Sequence, residues 1–169
     1  MNKNSLKNIA TEVIDLEINA LKILKKSINK NFDRAVNLIV DCQSKIIFCG
    51  VGKSGLIAAK IASTFSSVGS PAFSLSANDC LHGDLGSITK KDVLILISNS
   101  GKSEEIIPII KFANRNRIKL IGIVSKKNSF LYKASDIKIL LPEVKESGLG
   151  VVPTSSTSIQ LAIGDALAV

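Results

Sequence analysis

A hydroxyl-rich turn, Ser98-Asn99-Ser100-Gly101-Lys102-Ser103, stands between the apolar run Val93–Ile97 and a helical pattern that opens with Glu104 and Glu105. Such a run of apolar residues marks a strand buried in a parallel sheet. Ser103 is placed to cap the following helix, with both carboxylates in its first turn, where the dipole favours them. A strand that ends in hydroxyls and a glycine at a helix N-terminus suits a bound anion. Backbone N–H groups and the dipole attract phosphate, and Ser98, Ser100 and Ser103 add hydrogen-bond donors. An ordinary capped turn would carry the same residues, so the neighbouring stretches decide.

Gly50-Val51-Gly52-Lys53-Ser54-Gly55 also follows an apolar run and opens a helix. It matches neither nucleotide-binding fingerprint. Only Val51 separates Gly50 from Gly52, where the P-loop needs four residues before its Gly-Lys pair, and Gly55 comes one residue early for Gly-x-Gly-x-x-Gly. The turn still offers close backbone approach, a cation in Lys53 and a hydroxyl in Ser54. His82, the one histidine, lies in a polar stretch between Asp79 and Asp84. Imidazole titrates at about pH 6.5, which suits proton transfer or hydrogen bonding to a hydroxyl. Glu105, two residues after Ser103, reaches the same pocket; Glu146 precedes a glycine-containing loop; Glu104 reads as a solvated first-turn residue. Cys42, Cys49 and Cys80 are odd in number and lack metal-ligand spacing, so no metal site and no disulfide framework is expected; Cys42 and Cys49 read as small buried hydrophobes.

The elements that must position these residues follow from periodicity. Residues 4–28 carry Leu6, Ile9, Val13, Leu16, Ala20, Ile23 and Leu24 at helical spacing, a stripe for packing on the domain or on a second subunit. A second helix is expected over 32–42 with Asn31 as cap. Strands are expected at 45–50, 72–76, 93–97, 118–124 and 137–141, and helices at 52–67, about 103–115, 129–134 and from about 156, the last capped within Thr154–Thr157. A polar connection, 77–90, carries His82. Strands alternating with helices give an α/β fold, an open parallel five-stranded sheet in three layers with helices on both faces and N-terminal helices added. That order puts the turns at Gly50–Ser54, Ser76–Asp84 and Ser98–Ser103 on one sheet edge.

At 169 residues and 46% hydrophobic, the chain can bury the core of one domain, 1–169. No apolar run approaches the roughly 20 residues of a membrane span, and Met1 to Asn8 lack a signal-peptide core, so a soluble cytoplasmic protein without membrane contact is expected. The net charge of +8 raises nucleic acid as a partner, but the lysines are scattered, with one Tyr and no Trp, and nucleic-acid binding is not expected. A basic balance also suits a phosphorylated substrate.

Gly50-x-Gly-Lys-Ser, His82-Gly-Asp-Leu-Gly, Ser98-Asn-Ser-Gly-x-Ser-x-Glu105 and Pro153-Thr-Ser-Ser-Thr followed by Gly164-Asp-Ala-Leu-Ala resemble the sugar isomerase (SIS) domain. The His-Gly-Asp-Leu-Gly and Pro-Thr-Ser-Ser-Thr stretches narrow this to the bacterial D-arabinose 5-phosphate isomerase group, and the resemblance spans essentially the whole chain. It implies a flavodoxin-like sheet and interconversion of D-ribulose 5-phosphate and D-arabinose 5-phosphate through an enediol, without metal or cofactor, feeding Kdo and lipopolysaccharide synthesis. It further implies that Ser54, Ser98, Asn99, Ser100 and Ser103 hold the phosphate. Lys53 would stabilise the enediolate, with His82, Glu105 and Glu146 as acid–base or hydroxyl contacts. Gly52, Thr154 and Ser155 would complete the substrate site. Homotetramers with sites shared between subunits are implied as well. Ala77 and Asp79 stand where the family commonly has Pro and Glu. The family continues with a Ser-His-Pro-Gly-Gly stretch and paired CBS domains; this chain is expected to stop before both, its last helix cut short. A sugar-phosphate-sensing module, or an isomerase of another ketose phosphate, are the alternatives.

Overall fold

The central apolar runs become strands covered on both sides, whereas the edge run 72–76 stays partly exposed. The structure, a computed structural model, describes residues 3–169, with side chains from Ser5 onward. The strands are β1 (Ile46–Gly50), β2 (Ala72–Ser76), β3 (Val93–Ser98), β4 (Lys119–Val124) and β5 (Ile137–Leu140). They form one sheet in the order β2-β1-β3-β4-β5 with every pairing parallel. The helices are α1 (Lys3–Ser27), α2 (Lys30–Val40), α3 (Lys53–Ser67), α4 (Ala77–Cys80), α5 (Ile106–Arg115), α6 (Phe130–Ala134) and α7 (Ser155–Ala168). The three-layer α/β architecture is the one the sequence pattern implies.

Alternation along the strands splits the core in two. Ile46, Phe48, Val93, Ile95, Ile97, Ile121 and Ile123 face a cluster completed by α1, α2, α3 and α7. Ile47, Cys49, Leu94, Leu96, Leu120 and Val124 face Ile106, Ile109, Ile110 and Ala113 of α5, with Leu131 of α6 and Cys80 of α4. Phe48 and Phe65 pack with ring centroids 5.0 Å apart, a separation at which aromatic pairs attract beyond their buried area.

Four local expectations shift. The cap of α2 is Asn29, whose side chain accepts from the Asn31 N–H; Asn31 instead donates to the Lys138 carbonyl at 3.0 Å and ties α2 to β5. In α1, Ala20 and Leu24 are buried, but Leu6, Ile9 and Ile23 are exposed, as are Ile14, Ile18 and Leu21 between them. The 77–90 connection is not featureless: α4 and a 3-10 turn at Asp84–Ser87 lie within it. Cys49 is buried as expected, whereas Cys42 is only half-buried. Among the described residues no helix is long and apolar enough to cross a membrane.

At the opposite edge of the sheet from the candidate turns, buried Asp92 gathers the loop before β3. It accepts from Thr89 N at 2.6 Å, Thr89 Oγ1 at 3.0 Å and Lys45 Nζ at 3.1 Å. Burial pushes its carboxyl up, and the bonds from Thr89, Ser44 and Lys45 outweigh that and hold it below the ordinary carboxylate range. Asp92→Ala leaves the Thr89 and Lys45 donors unpaired and should cost about 1–3 kcal/mol in urea unfolding. An unchanged midpoint would show that this cluster contributes nothing.

Candidate functional site at the carboxyl edge of the sheet

Register brings the three turns to one edge. Gly50 lies level with Ser76 of β2 on one side and Ile97 of β3 on the other. The connections leave β1 in opposite directions, so the β1/β3 boundary is the switch point where open α/β sheets place ligands.

Glycine permits the tight fit of the first turn. A Cβ on Gly50 would lie 2.8 Å from the backbone carbonyl of Ser54 and 2.9 Å from the Ile97 oxygen; one on Gly55 would lie 2.8 Å from the Gly50 oxygen. The first turn of α3 therefore rests directly on the end of β1. Gly52 makes the bend at φ +57°, and no side chain caps α3. Its N-terminal dipole thus faces outward beside the exposed Lys53. Ser54 is half-buried and donates to Gln160 Oε1 of α7 at 3.1 Å. Gln160, almost wholly buried, is a residue that sequence reasoning missed. The signal was present: a polar residue inside the apolar stretch Ile159–Ile163.

The second turn holds four of the expected phosphate ligands together. Buried Ser98 closes it, its Oγ accepting from the Gly101 N–H at 3.0 Å. Asn99 Oδ1 accepts from Ser125 Oγ at 2.6 Å, and its carbonyl accepts from the Ser125 N–H, locking the turn to the loop after β4. Gly101 takes φ +63°, where a side chain would run into Ser129 and Val124. Ser100 is exposed, its Oγ accepting from the Lys102 N–H at 3.3 Å. Ser103 does not cap α5. The helix starts at Ile106 behind Glu105, which makes no side-chain cap bond, and only the Ser103 carbonyl is used, accepting from the Ile106 N–H. Glu105 itself is half-buried.

The other expected site residues are placed less uniformly. His82 is exposed, its backbone N–H bonded to the Asp79 carbonyl. A cleft of about 290 Å³ is lined by Gly50, Val51 and Gly52 on one wall and Ser76, Ala77 and Asn78 on the other. It lies on the β2 side of the glycine turn, and the Ser98–Ser103 turn contributes nothing to its lining. Ser155, the first residue of α7, is fully buried, and its Oγ is the one buried side-chain polar atom without a hydrogen-bond partner among the described residues.

Glu146 is built into the fold. Its Oε2 accepts from Thr154 N at 2.8 Å, Thr154 Oγ1 at 3.1 Å and Ser156 N at 3.3 Å. A carboxylate thereby starts α7, where Thr154 itself makes no side-chain cap bond to the helix. Burial pushes the Glu146 carboxyl up, and the bonds from Ser156 and Thr154 more than reverse it, holding the group below the ordinary carboxylate range. Such a group is a fixed anion rather than a ready proton acceptor. A folded pKa below the unfolded value of about 4.3 stabilises fully above that pH, and the stabilisation is lost as pH falls through the folded value. Glu146→Gln should therefore lower Tm at pH 7, and the gap to the parent should close as melts are taken below about pH 4. A gap independent of pH would show that charge does not hold this helix end.

With this geometry in view, comparison with known proteins is direct. A family model described as SIS domain matches residues 39–169. Arabinose 5-phosphate isomerase KdsD of Francisella tularensis is 44% identical over 166 residues, covering 96% of this chain and 51% of that protein. KdsD of Yersinia pestis is 43% identical over 159 residues, covering 94% and 48%. The chain thus spans about half the length of the curated relatives it matches. Among solved structures, Escherichia coli CFT073 c3406 in complex with arabinose 5-phosphate superposes with a TM-score of 0.95 at 36% identity, over 99% of this chain and 90% of that one. With the family model matching residues 39–169 and the superposition covering 99% of the chain, this chain belongs to the SIS domain family.

Proposed function

We propose that this chain, as one SIS domain over residues 1–169, interconverts D-ribulose 5-phosphate and D-arabinose 5-phosphate. The observation that carries the reading is the juxtaposition across the β1/β3 boundary. The uncapped start of α3 with Lys53 lies at the end of β1, and the hydroxyl turn Ser98–Ser103 lies at the end of its neighbour β3. The similarity to the KdsD enzymes supports the substrate.

In this reading the phosphate sits on Ser98, Asn99, Ser100 and Ser103, with Ser54 and the Gly52 bend closing around it. A base removes the proton from the carbon beside the carbonyl, an enediolate forms, and the proton returns to the neighbouring carbon. Lys53 neutralises the developing oxyanion, where a preorganised cation lowers the barrier. Glu105 is the proton carrier, since Glu146 is committed to α7; His82, Thr154 and Ser155 contact sugar hydroxyls. The product feeds Kdo and lipopolysaccharide synthesis in the cytoplasm, and the protein works as a homotetramer with sites at subunit interfaces. The outward apolar residues of α1, Leu6, Ile9, Ile14 and Ile18, support such association.

The test is hydrogen exchange. Incubated with ribulose 5-phosphate in deuterated water, the protein should label C2 of arabinose 5-phosphate, read by NMR. Lys53→Ala should slow labelling about 10²–10³-fold. Its Tm should stay unchanged, because an exposed residue at a helix start buries little. No exchange by the parent protein overturns the reading, and a large fall in Tm for the variant makes Lys53 structural.

A further inference from the structure

A buried amide stands behind the start of α3. Gln160 of α7 is 1% exposed and set within the apolar stretch Ile159–Ile163. Its Oε1 accepts from Ser54 Oγ at 3.1 Å. Ser54 is the second residue of α3 and follows Lys53 directly. If the pair only filled space, two apolar side chains of the same shape would serve, since replacing both partners of a buried hydrogen bond is nearly neutral for stability. What the amide adds is control of the Ser54 hydroxyl. We propose that Gln160 is a positioning residue for a phosphate monoester: it holds Ser54 Oγ at the start of α3 and turns its amide so that the Ser54 proton points to the ligand.

A serine hydroxyl has one proton and two lone pairs, and a phosphate oxygen is an acceptor. In the structure the Ser54 proton goes to Gln160 Oε1, so Ser54 offers a phosphate only lone pairs. A half-turn about the last torsion of Gln160 reverses this. Nε2 then donates to Ser54 Oγ, and the hydroxyl proton is released to the phosphate. That torsion is broad and roughly two-fold, so both orientations are within reach, and the 3.1 Å separation suits either sense of the bond. The surrounding backbone keeps the two side chains in range. Glu146 accepts from the Ser156 N–H at 3.3 Å, about one helical turn before Gln160. Lys60 pairs with Asp165 at 2.6 Å, and Gly164 leaves the space that Ile61 occupies, so α3 and α7 are fastened to each other within about two turns of the pair.

The inference rests on the phosphate lying at the start of α3, as proposed above, and its test separates the two. Gln43 and Gln160 are the two glutamines of the chain. Protein labelled with 15N in its glutamine side chains therefore shows two amide pairs by NMR, and Gln43→Glu leaves the pair of Gln160. Gln43 is exposed and precedes β1, at the far end of that strand. On titration with D-arabinose 5-phosphate, the Gln160 pair should shift and the Gln43 pair should stay. In Ser54→Ala, which keeps the serines of the neighbouring turn, the Gln160 shift should vanish at ligand saturation. Gln160→Glu keeps the size of the side chain and, ionised, only accepts. It should weaken binding about 10-fold or more by calorimetry, the scale of a hydrogen bond to a charged group. Gln160→Met frees the Ser54 proton but no longer holds the oxygen, and should weaken binding by less. If either variant fails to fold by circular dichroism, the amide shift in the Gln43→Glu protein decides alone. A Gln160 pair that stays put while the parent binds overturns the proposal. So does a shift that survives in Ser54→Ala, or folded Gln160 variants that bind as tightly as the parent. A parent that binds no sugar phosphate overturns the functional reading itself, and this inference with it.

Discussion

The first turn of α3 rests on the end of β1 with no room for a side chain between them, and the carboxyl edge of the sheet is arranged around that contact. Gly50 and Gly55 interlock through backbone atoms alone, with the Ile97 carbonyl of β3 closing the third side. The approach sets where α3 starts, and the start sets where Lys53 stands. α7 then holds α3 from its other flank. Ser54 donates to Gln160, Lys60 pairs with Asp165 at 2.6 Å, and Gly164 leaves space for the Ile61 side chain. The lysine side chain is exposed, and its place in the chain is set by the glycine turn that it follows.

Electrostatics divides the helix starts at this edge into two kinds. α7 is satisfied from within, since the Glu146 carboxylate takes the Thr154 and Ser156 N–H groups. That end has no attraction left for an external anion. α3 has no side-chain cap, and the residue beside it is a cation. The field available to a phosphate is therefore concentrated at α3 and the neighbouring serine turn. The overall charge of +8 adds a diffuse attraction that salt screens over roughly 10 Å; the local arrangement is screened far less.

The strands were legible in the sequence because a strand covered on both faces must be apolar at every position, as Val93–Ile97 is. The turns were legible because Gly50, Gly52 and Gly101 do backbone work that few other residues can do. Helix ends were less so. Ser103 and Asn31 both have the chemistry of a cap, but a cap also depends on which N–H group the incoming chain turns toward it, and that direction is set by packing. Asn31 is drawn to Lys138, 107 positions away, and Ser54 to Gln160, 106 positions away. No local pattern encodes such partners. The outward apolar residues of α1 show the same limit from another side. Helical spacing reports that a face is apolar, and nothing in it reports what lies against that face.

Within the serine turn, side chains that look alike do different work. Ser98 and Asn99 accept hydrogen bonds from Gly101 and Ser125, so their acceptor capacity goes into the shape of the turn. Ser103 makes no cap, and exposed Ser100 accepts only a weak 3.3 Å bond from Lys102; both keep their hydroxyl protons. A turn of four free polar side chains would have to be ordered by its ligand, and each immobilised side chain costs about 0.5–1.5 kcal/mol on binding. Here half of that ordering is done by the fold. The division also sets what substitution reveals: a change at Ser98 or Asn99 acts first on the shape of the turn, while one at Ser100 or Ser103 acts first on what the turn holds.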